Sequence, residues 1–216
     1  MAQTPTGSTF FVASAFAVAK TVTAVSNATE AVVSAVAHGC IVGDIVEITS
    51  GWGRLNKRAF RVKTVPTVDS LVLEGADTTS TNFFPAGTGT GTIRKVSTFT
   101  QITTVMAPTS SGGEPKNVTY KFIESDVEYS INDGFSATSY AMDLDADSIG
   151  SAGYTALRAL TDVQTDTILK IVTRSGSIVL IPCTVALNES ISFQDGSINK
   201  VKAAFNGNNR LTRVSA

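Results

Sequence analysis

The feature that most constrains this chain is a succession of short, β-branched segments separated by glycine, proline and other turn-forming residues. In the first hundred residues these segments read AVVSAVA, IVEIT, AFRVKTV and SLVLEG. Val, Ile and Thr side chains fit the pleated surface of a strand, whereas Gly, Pro, Asn and Asp let the chain reverse direction. Many short strands at regular spacing are typical of a β-sandwich or a small barrel, so we predict a mainly β protein.

The surface of this protein must be built largely from uncharged polar residues. Only 16% of the 216 residues are charged, while 43% are hydrophobic, and the chain contains 22 Ser and 29 Thr. A net charge of −1 gives no basic excess for gripping nucleic-acid phosphates. A surface with so little charge suits a protein that is covered mostly by interfaces.

One segment departs from the strand pattern. In SAGYTALRALTDV, residues 151–163, the apolar residues Tyr154, Leu157 and Leu160 recur at helical spacing. Ser148 or Ser151 can cap the N-terminus of the predicted helix. The second half of the chain is therefore predicted to be four or more strands with one helix packed on top.

The clearest alternation in the chain lies in VTYKFIESDVEYSI, residues 118–131. We predict one strand here, with a buried apolar face formed by Ile123, Val127, Tyr129 and Ile131. Its opposite, wet face would carry Glu124, Asp126 and Glu128, spaced about 7 Å apart along the strand. Like charges at this spacing repel each other, so we expect that face to serve a purpose.

The only histidine, His38, is separated by Gly39 from Cys40, one of two cysteines. A zinc site needs four ligands and a cysteine nucleophile needs a base, and no second histidine or nearby cysteine is available. We therefore predict a turn between two strands rather than a metal or catalytic site. Cys40 and Cys183 both lie in apolar surroundings and are predicted to be free, buried side chains.

Three other segments suggest chemistry, but each fits a simpler interpretation better. DLDAD, residues 143–147, resembles the start of a calcium loop but lacks the required Gly and Glu, so an acidic lead into the helix is favoured. GTGTGT, residues 87–92, lacks the Lys-Ser/Thr of a phosphate-binding loop. RLNKRAFRVK, residues 54–63, could touch a nucleic-acid backbone, but a solvated strand or one that meets acidic neighbours is favoured.

Residues 21–97 resemble a small β-barrel module that is common in bacteriophage proteins and similar to a subdomain of ubiquitin-activating enzymes. The resemblance rests on AVVSAVAHGCIVGDIVEITSG, RLNKRAFRV and SLVLEGADTTS. In that module the His-Gly and Gly-Asp pairs are turn residues. The resemblance implies a packing or binding module, without adenylation or thiol chemistry.

Residues 98–214, with 9–19 as a first strand after a flexible start, resemble the tail tube (major tail) proteins of phages with long, non-contractile tails. The resemblance rests on the order of FTQITTV, GGEPKNV, NDGFSATSYAMDLDAD, GYTALRAL, ILKIVTRSGSIVLIPCTVAL and ISFQDGSINKVKAAFN. It implies a discontinuous β-sandwich domain, residues 1–20 and 98–216, with one flanking helix. The inserted module, residues 21–97, would lie on the tube exterior.

The resemblance also implies a function. Hexameric rings would stack into a tube that conducts DNA during ejection, without catalysis and without a cofactor. The implied partners are other copies of the chain, the tape-measure, tail-terminator and distal tail proteins, and DNA that passes without specific binding. The implied location is the virion tail, assembled in the host cytoplasm without a membrane.

Within that assembly, Glu124, Asp126 and Glu128 are predicted to face the channel, where repulsion keeps the phosphates of passing DNA from sticking. The alternative is a face where these acids pair with Arg54, Arg58 or Lys63 of a neighbouring copy. Two other functions stay open from sequence alone. They are an adhesin-like or carbohydrate-binding module, and an enzyme acting through the carboxylates of residues 143–147.

Overall fold

The structure, a computed structural model, describes residues 4–216, so residues 1–3 of the predicted flexible start lie outside it. The first half of the chain forms strands β1 (Thr9–Phe16), β2 (Lys20–Val22), β3 (Ala24–Val25), β4 (Val32–Ser34), β5 (Ile45–Ser50), β6 (Arg58–Thr67), β7 (Ser70–Leu73) and β8 (Gly91–Ile102). The second half forms β9 (Val105–Ser111), β10 (Pro115–Tyr120), β11 (Tyr129–Phe135), β12 (Ser139–Asp145), a 3-10 helix (Ala146–Gly150), α1 (Ala152–Val163), β13 (Thr167–Val172), β14 (Ile178–Ser192), β15 (Lys200–Gly207) and β16 (Thr212–Val214).

Most strands join one large, curled antiparallel sheet. Its order is β3-β4-β7-β6-β5-β8-β1-β13-β14-β15-β12-β9, with β2 added on β8 and β16 added on β14. Strands β10 and β11 form a separate two-stranded hairpin. This arrangement, with α1 on its flank, confirms the predicted mainly β fold.

The helix confirms the prediction made from its spacing. Ser151 caps it, since the Ser151 side chain accepts a hydrogen bond from the backbone N–H of Tyr154. Tyr154 and Leu157 are buried against the sheet. Gly153 permits a close approach to β8, because a Cβ there would lie 2.5 Å from the carbonyl oxygen of Gln101.

The two halves share a strand rather than meeting at a boundary. Strand β8 runs unbroken for 12 residues, from Gly91 to Ile102. Its first half pairs with β2 and β5, and its second half pairs with β1. The chain then reverses at Thr104, which has a φ of 58°, and continues as β9 from Val105.

Three hydrophobic clusters hold the molecule together. The first is drawn from residues 22–93 and includes Trp52 and Phe60. The second is drawn from residue 12 and residues 102–205, and packs α1 on the sheet. The third contains residues from both parts of the chain and so joins them: Ala13, Ile45, Ala59, Val96, Ile168, Leu180 and Val214. The division into a tail-tube domain and an inserted module at residues 21–97 remains a prediction.

The predicted single strand at 118–131 is wrong. Residues 118–120 belong to β10, residues 129–131 belong to β11, and residues 121–128 form the connection between the two strands. The predicted buried face is also wrong, because Ile123 and Val127 are exposed. Alternation continued through the connection by coincidence, while Ser125 and Asp126 supplied the turn-forming chemistry.

The final residues take part in the large sheet, since Thr212–Val214 pairs with β14 as β16. Thr212 and Val214 are buried there. Neither helix within residues 4–216 combines the length and apolar character needed to cross a membrane.

Candidate functional site

The hairpin β10–β11 exposes an unusual amount of apolar surface. Its strands pair only with each other, from Pro115↔Phe135 to Tyr120↔Tyr129. Its exposed apolar side chains are Val118, Tyr120, Phe122, Ile123, Val127, Tyr129, Ile131 and Phe135. A lone two-stranded hairpin is only marginally stable in water, and a large exposed apolar patch marks an interaction site.

An aromatic cluster stiffens the outer end of this hairpin. Tyr120 stacks on Tyr129 with ring centroids 5.5 Å apart, and Phe122 meets both rings edge-on at 5.4 and 5.8 Å. Such contacts hold the ends of the two strands together without a core. Ile123, beside this cluster, has its whole side chain open to solvent.

The three acids predicted from sequence all lie in this connection, which we call the acidic tip, residues 121–128. Glu124, Asp126 and Glu128 are all exposed, and none forms an ion pair within the described chain. The tip is shaped by a backbone hydrogen bond of 3.1 Å from Ser125 N to the carbonyl oxygen of Phe122. The acids are thus brought together by a turn rather than by one face of a strand.

A second surface, missed by the sequence reasoning, covers one face of strands β9, β12, β15 and β14. The strand registers place Thr184, Asn206, Ser139 and Ser111 in one row, Ala186, Ala204, Ala141 and Thr109 in the next, and Asn188, Lys202 and Asp143 in a third. We call these eleven residues the polar wall. None of them is buried.

The polar wall is explained by the alternation of its strands. The intervening residues, including Met142, Leu144 and Phe205, are buried in the second hydrophobic cluster beneath α1. Lys202 lies directly opposite Asp143, so the two charges of the wall offset each other. Its remaining side chains are Ser, Thr, Ala and Asn, which leaves an even, polar surface without a bulky group.

One family of known proteins matches most of this chain. The model of the phage tail tube protein family matches residues 50–216. This chain belongs to the phage tail tube protein family. The matched residues include β6 to β8 as well as the helix and the polar wall, so the family region begins within residues 21–97.

Two of the solved structures that this chain matches come from gene transfer agent (GTA) particles. The tail of an empty GTA particle, refined with C6 symmetry, is 13% identical; the match covers 54% of this chain and 87% of that chain, with a TM-score of 0.44. A virion of a native gene transfer agent particle gives 13% identity, 54% and 89% coverage, and a TM-score of 0.44. No match was found among curated proteins.

In this tail tube protein, the His38–Gly39–Cys40 segment is the predicted turn between β4 and β5. Gly39 has a φ of +65°, which favours glycine. The backbone N–H of Cys40 donates to His38 Nδ1 at 3.0 Å, so the ring proton must be on Nε2. Burial raises the pKa of the Cys40 thiol, and nearby Asp44 raises it further. Both effects disfavour the thiolate that a nucleophile or metal ligand requires.

The acidic residues at 143–147 serve the local backbone. Asp145 caps the 3-10 helix, since its carboxylate accepts the backbone N–H of Asp147 at 3.0 Å. Asp143 lies on β12 opposite Lys202. Within residues 4–216, no group of three or more His, Cys, Asp or Glu side chains is arranged to hold a metal ion.

The basic segment at 54–63 meets acidic neighbours of its own chain, as the favoured interpretation indicated. Ion pairs join Lys57 to Asp166, Arg61 to Glu74 and Lys63 to Glu30. Arg54 lies over the ring of Phe83, with 3.3 Å between its guanidinium carbon and the ring centroid. Lys63 therefore already has an acidic partner within the chain, which disfavours its pairing with the acids of a neighbouring copy.

A buried ion pair that the sequence did not indicate lies where the two regions meet. Glu47 is 2% exposed and accepts a hydrogen bond from Arg94 Nε. Arg94 also donates to the carbonyl oxygen of Asp166 at 3.0 Å. These contacts fix β5 and β8 to the start of β13, so we assign them a role in stabilising the fold.

Proposed function

We propose that this chain polymerises as stacked hexameric rings, and that the stack forms the tail tube through which DNA is ejected. Membership of the tail tube family supports the proposal. The observation that carries it is the exposed apolar hairpin, because a side chain such as Ile123 gains a place to be buried only when another copy covers it. The role is purely structural, in the virion tail, after assembly in the host cytoplasm.

The polar wall is the surface that we assign to the channel. Its Ser, Thr, Ala and Asn side chains offer no cationic patch to hold phosphates, and Lys202 is offset by Asp143 directly opposite. Six such walls side by side would form a continuous, even lining. The region of residues 21–97 then lies on the tube exterior, as the sequence resemblance implies.

The channel position predicted for Glu124, Asp126 and Glu128 stays a prediction. The acidic tip connects β10 and β11, and these two strands form a sheet separate from that of the polar wall. Tape-measure, tail-terminator and distal tail proteins remain the partners that we propose for the tube interior and its two ends.

Electron microscopy of the purified full-length chain tests the assembly. We expect sixfold rings and open-ended tubes, whose mass per ring matches six copies by analytical ultracentrifugation. A chain that stays monomeric at high concentration, and that is missing from tails of the phage that encodes it, would contradict the proposal.

Lysine substitution tests the channel lining. Ala186→Lys with Ala204→Lys adds two positive charges to the polar wall of each copy, so we expect normal tubes and slowed DNA ejection. Ala159→Lys on the exposed side of α1 is the matched control and should leave ejection unchanged. Equal ejection rates in both variants would place the polar wall away from the DNA.

A further inference from the structure

Arg58, at the start of β6, is a cation without a carboxylate. It packs over the ring of Phe60, and its Nη2 donates to Thr212 Oγ1 at 3.1 Å. Its Nε is buried and has no hydrogen-bond partner within the described chain. The flanking cations differ, because Lys57 and Arg61 each pair with an acid.

The charge of Arg58 is poorly compensated. Burial and, to a smaller extent, the positive charge of Arg210 lower the pKa of Arg58 to about 10. The guanidinium is nevertheless protonated at neutral pH, so two cations lie near each other in a partly desolvated place. A desolvated charge is unfavourable unless it is paired and hydrogen-bonded.

Arg210 borders an open cleft at the base of the hairpin. The cleft has a volume of about 420 Å³ and lies between residues 135–138 of the hairpin base and residues 207–211 of the turn before β16. The Arg210 guanidinium lies over the ring of Phe135 at 4.5 Å. One acid near the cleft, Asp166, already accepts hydrogen bonds from Lys57 and from the lining residue Asn208. We call Arg210, the nearby Arg58 and this cleft the cationic cleft.

The opposite end of the same hairpin has the complementary charge. The acidic tip contains Glu124, Asp126 and Glu128 against one cation, Lys121, so its net charge is 1 − 3 = −2. None of these four residues forms an ion pair within the described chain. The hairpin therefore has unpaired acids at its tip and unpaired cations beside its base.

The two ends cannot satisfy each other within one copy. Strand β10 has six residues, which at ~3.3 Å per residue separates tip from base by about 20 Å. Two copies arranged head to tail can bring the tip of one to the base of the next. Such a heterologous contact extends without closing, which is what an open-ended tube requires.

We infer that the cationic cleft binds the carboxylates of the acidic tip of a second copy. The inference rests on the proposed function, since it names the contact that joins one copy to the next. The carboxylates would pair with the exposed guanidinium of Arg210 and offset the positive charge of the nearby Arg58. The exposed apolar side chains of the hairpin would be covered alongside.

A charge exchange tests this pairing. We expect Arg210→Glu alone, and Glu124→Lys with Asp126→Lys and Glu128→Lys, each to shorten tubes by at least about tenfold. Combining the four substitutions in one chain should restore length to within about threefold of the wild-type tubes, because the attraction is re-created with reversed signs. Circular dichroism and thermal melting verify that each variant is folded.

The chain offers matched controls for both halves of the exchange. Arg174→Glu lies in the exposed turn before β14 and should not shorten tubes. Asp195→Lys lies in the exposed connection before β15 and should not rescue Arg210→Glu. Rescue by Asp195→Lys would show an effect of net charge alone and would overturn the pairing.

Arg58 is tested by a substitution that keeps its shape. Arg58→Met removes an unpaired, mostly buried charge, so the isolated subunit should melt at the same or a higher temperature while tubes become shorter. A lower melting temperature together with normal tube length would show that Arg58 serves the fold only, and would overturn its part in the site.

Failure of the pairing and failure of the proposed function give different results. Wild-type chains that form no rings or tubes would overturn the proposed function. Wild-type tubes with a folded fourfold variant that stays short would overturn only the pairing. Tubes of normal length in the triple-Lys variant, with slowed DNA ejection, would also overturn the pairing and support the channel position of the acids.

Discussion

Residues 21–97 and the hairpin of residues 115–135 are both built from short, β-branched segments, but they differ in what covers their apolar side chains. In the first region Trp52 and Phe60 are 1% and 0% exposed, whereas in the hairpin Phe122 is 52% exposed and Ile123 fully exposed. Several cations of the first region, although not Arg58, also pair with acids of the same chain, as in Lys63–Glu30. The first region covers its large apolar side chains within the chain, whereas the hairpin leaves its own exposed.

This difference shows what alternation can and cannot predict. A period of two indicates which side chains share a face of a strand, but it does not indicate what that face meets. Both regions satisfy the pattern. Only the first has further strands of the same chain packed over the apolar face, and those strands come from residues distant in sequence.

The largest expected effect comes from removing the apolar end of the hairpin. Phe122→Ser with Ile123→Ser should abolish tubes, because the side chains that would be buried between copies are lost. The melting temperature of the subunit should change by less than about 2 °C, since neither side chain contributes to a core. Electron microscopy and thermal melting give the two readouts.

Val68→Ser is the matched control for that change. Val68 is 75% exposed but belongs to the turn after β6, in the region that we place on the tube exterior. It should leave both assembly and melting unchanged. Loss of tubes in Val68→Ser, with normal tubes in the double hairpin variant, would reverse the comparison between the two regions.

The next effect concerns residues 21–97, whose large apolar side chains are buried. Trp52 packs against Phe84 with 5.3 Å between ring centroids, and its Nε1 donates to the carbonyl oxygen of Pro85 at 2.8 Å. Trp52→Ala should lower the free energy of unfolding by about 3–5 kcal/mol, measured by urea denaturation. Phe83→Ala, at a half-exposed neighbour, should lower it by less than about 1 kcal/mol. Equal losses would contradict the contrast in burial.

The sequence predicted most where local chemistry decides the structure. The spacing of Tyr154 and Leu157 placed the helix, Ser151 placed its cap, and Gly39 placed the turn before β5. Each of these features depends on residues within a few positions of one another. The mainly β fold followed in the same way from β-branched segments and the turns between them.

The sequence predicted least where distant residues meet. The polar wall depends on strand registers such as Asp143↔Lys202, and the pair Glu47–Arg94 depends on β5 lying beside β8. The acids of residues 124–128 were predicted to lie on one face of a strand, but they lie in a connection, because alternation ran on through a turn. Ser125 and Asp126 were the signal that could have corrected it.

The smallest expected effect lies in the turn that first suggested chemistry. His38 is 7% exposed, and its Nδ1 accepts one hydrogen bond, from the backbone N–H of Cys40, while its buried Nε2 has no partner within the described chain. The favourable hydrogen bond is thus partly offset by a desolvated N–H group. His38→Ala with Cys40→Ala should therefore cost at most about 1–2 kcal/mol of stability and leave tubes intact. Gly39→Ala, which strains a φ of +65°, should destabilise by a similar amount without removing any side-chain contact. Stoichiometric zinc in the purified protein that is lost in the double variant would overturn this interpretation, because a metal site would make the turn far more than a connection between two strands.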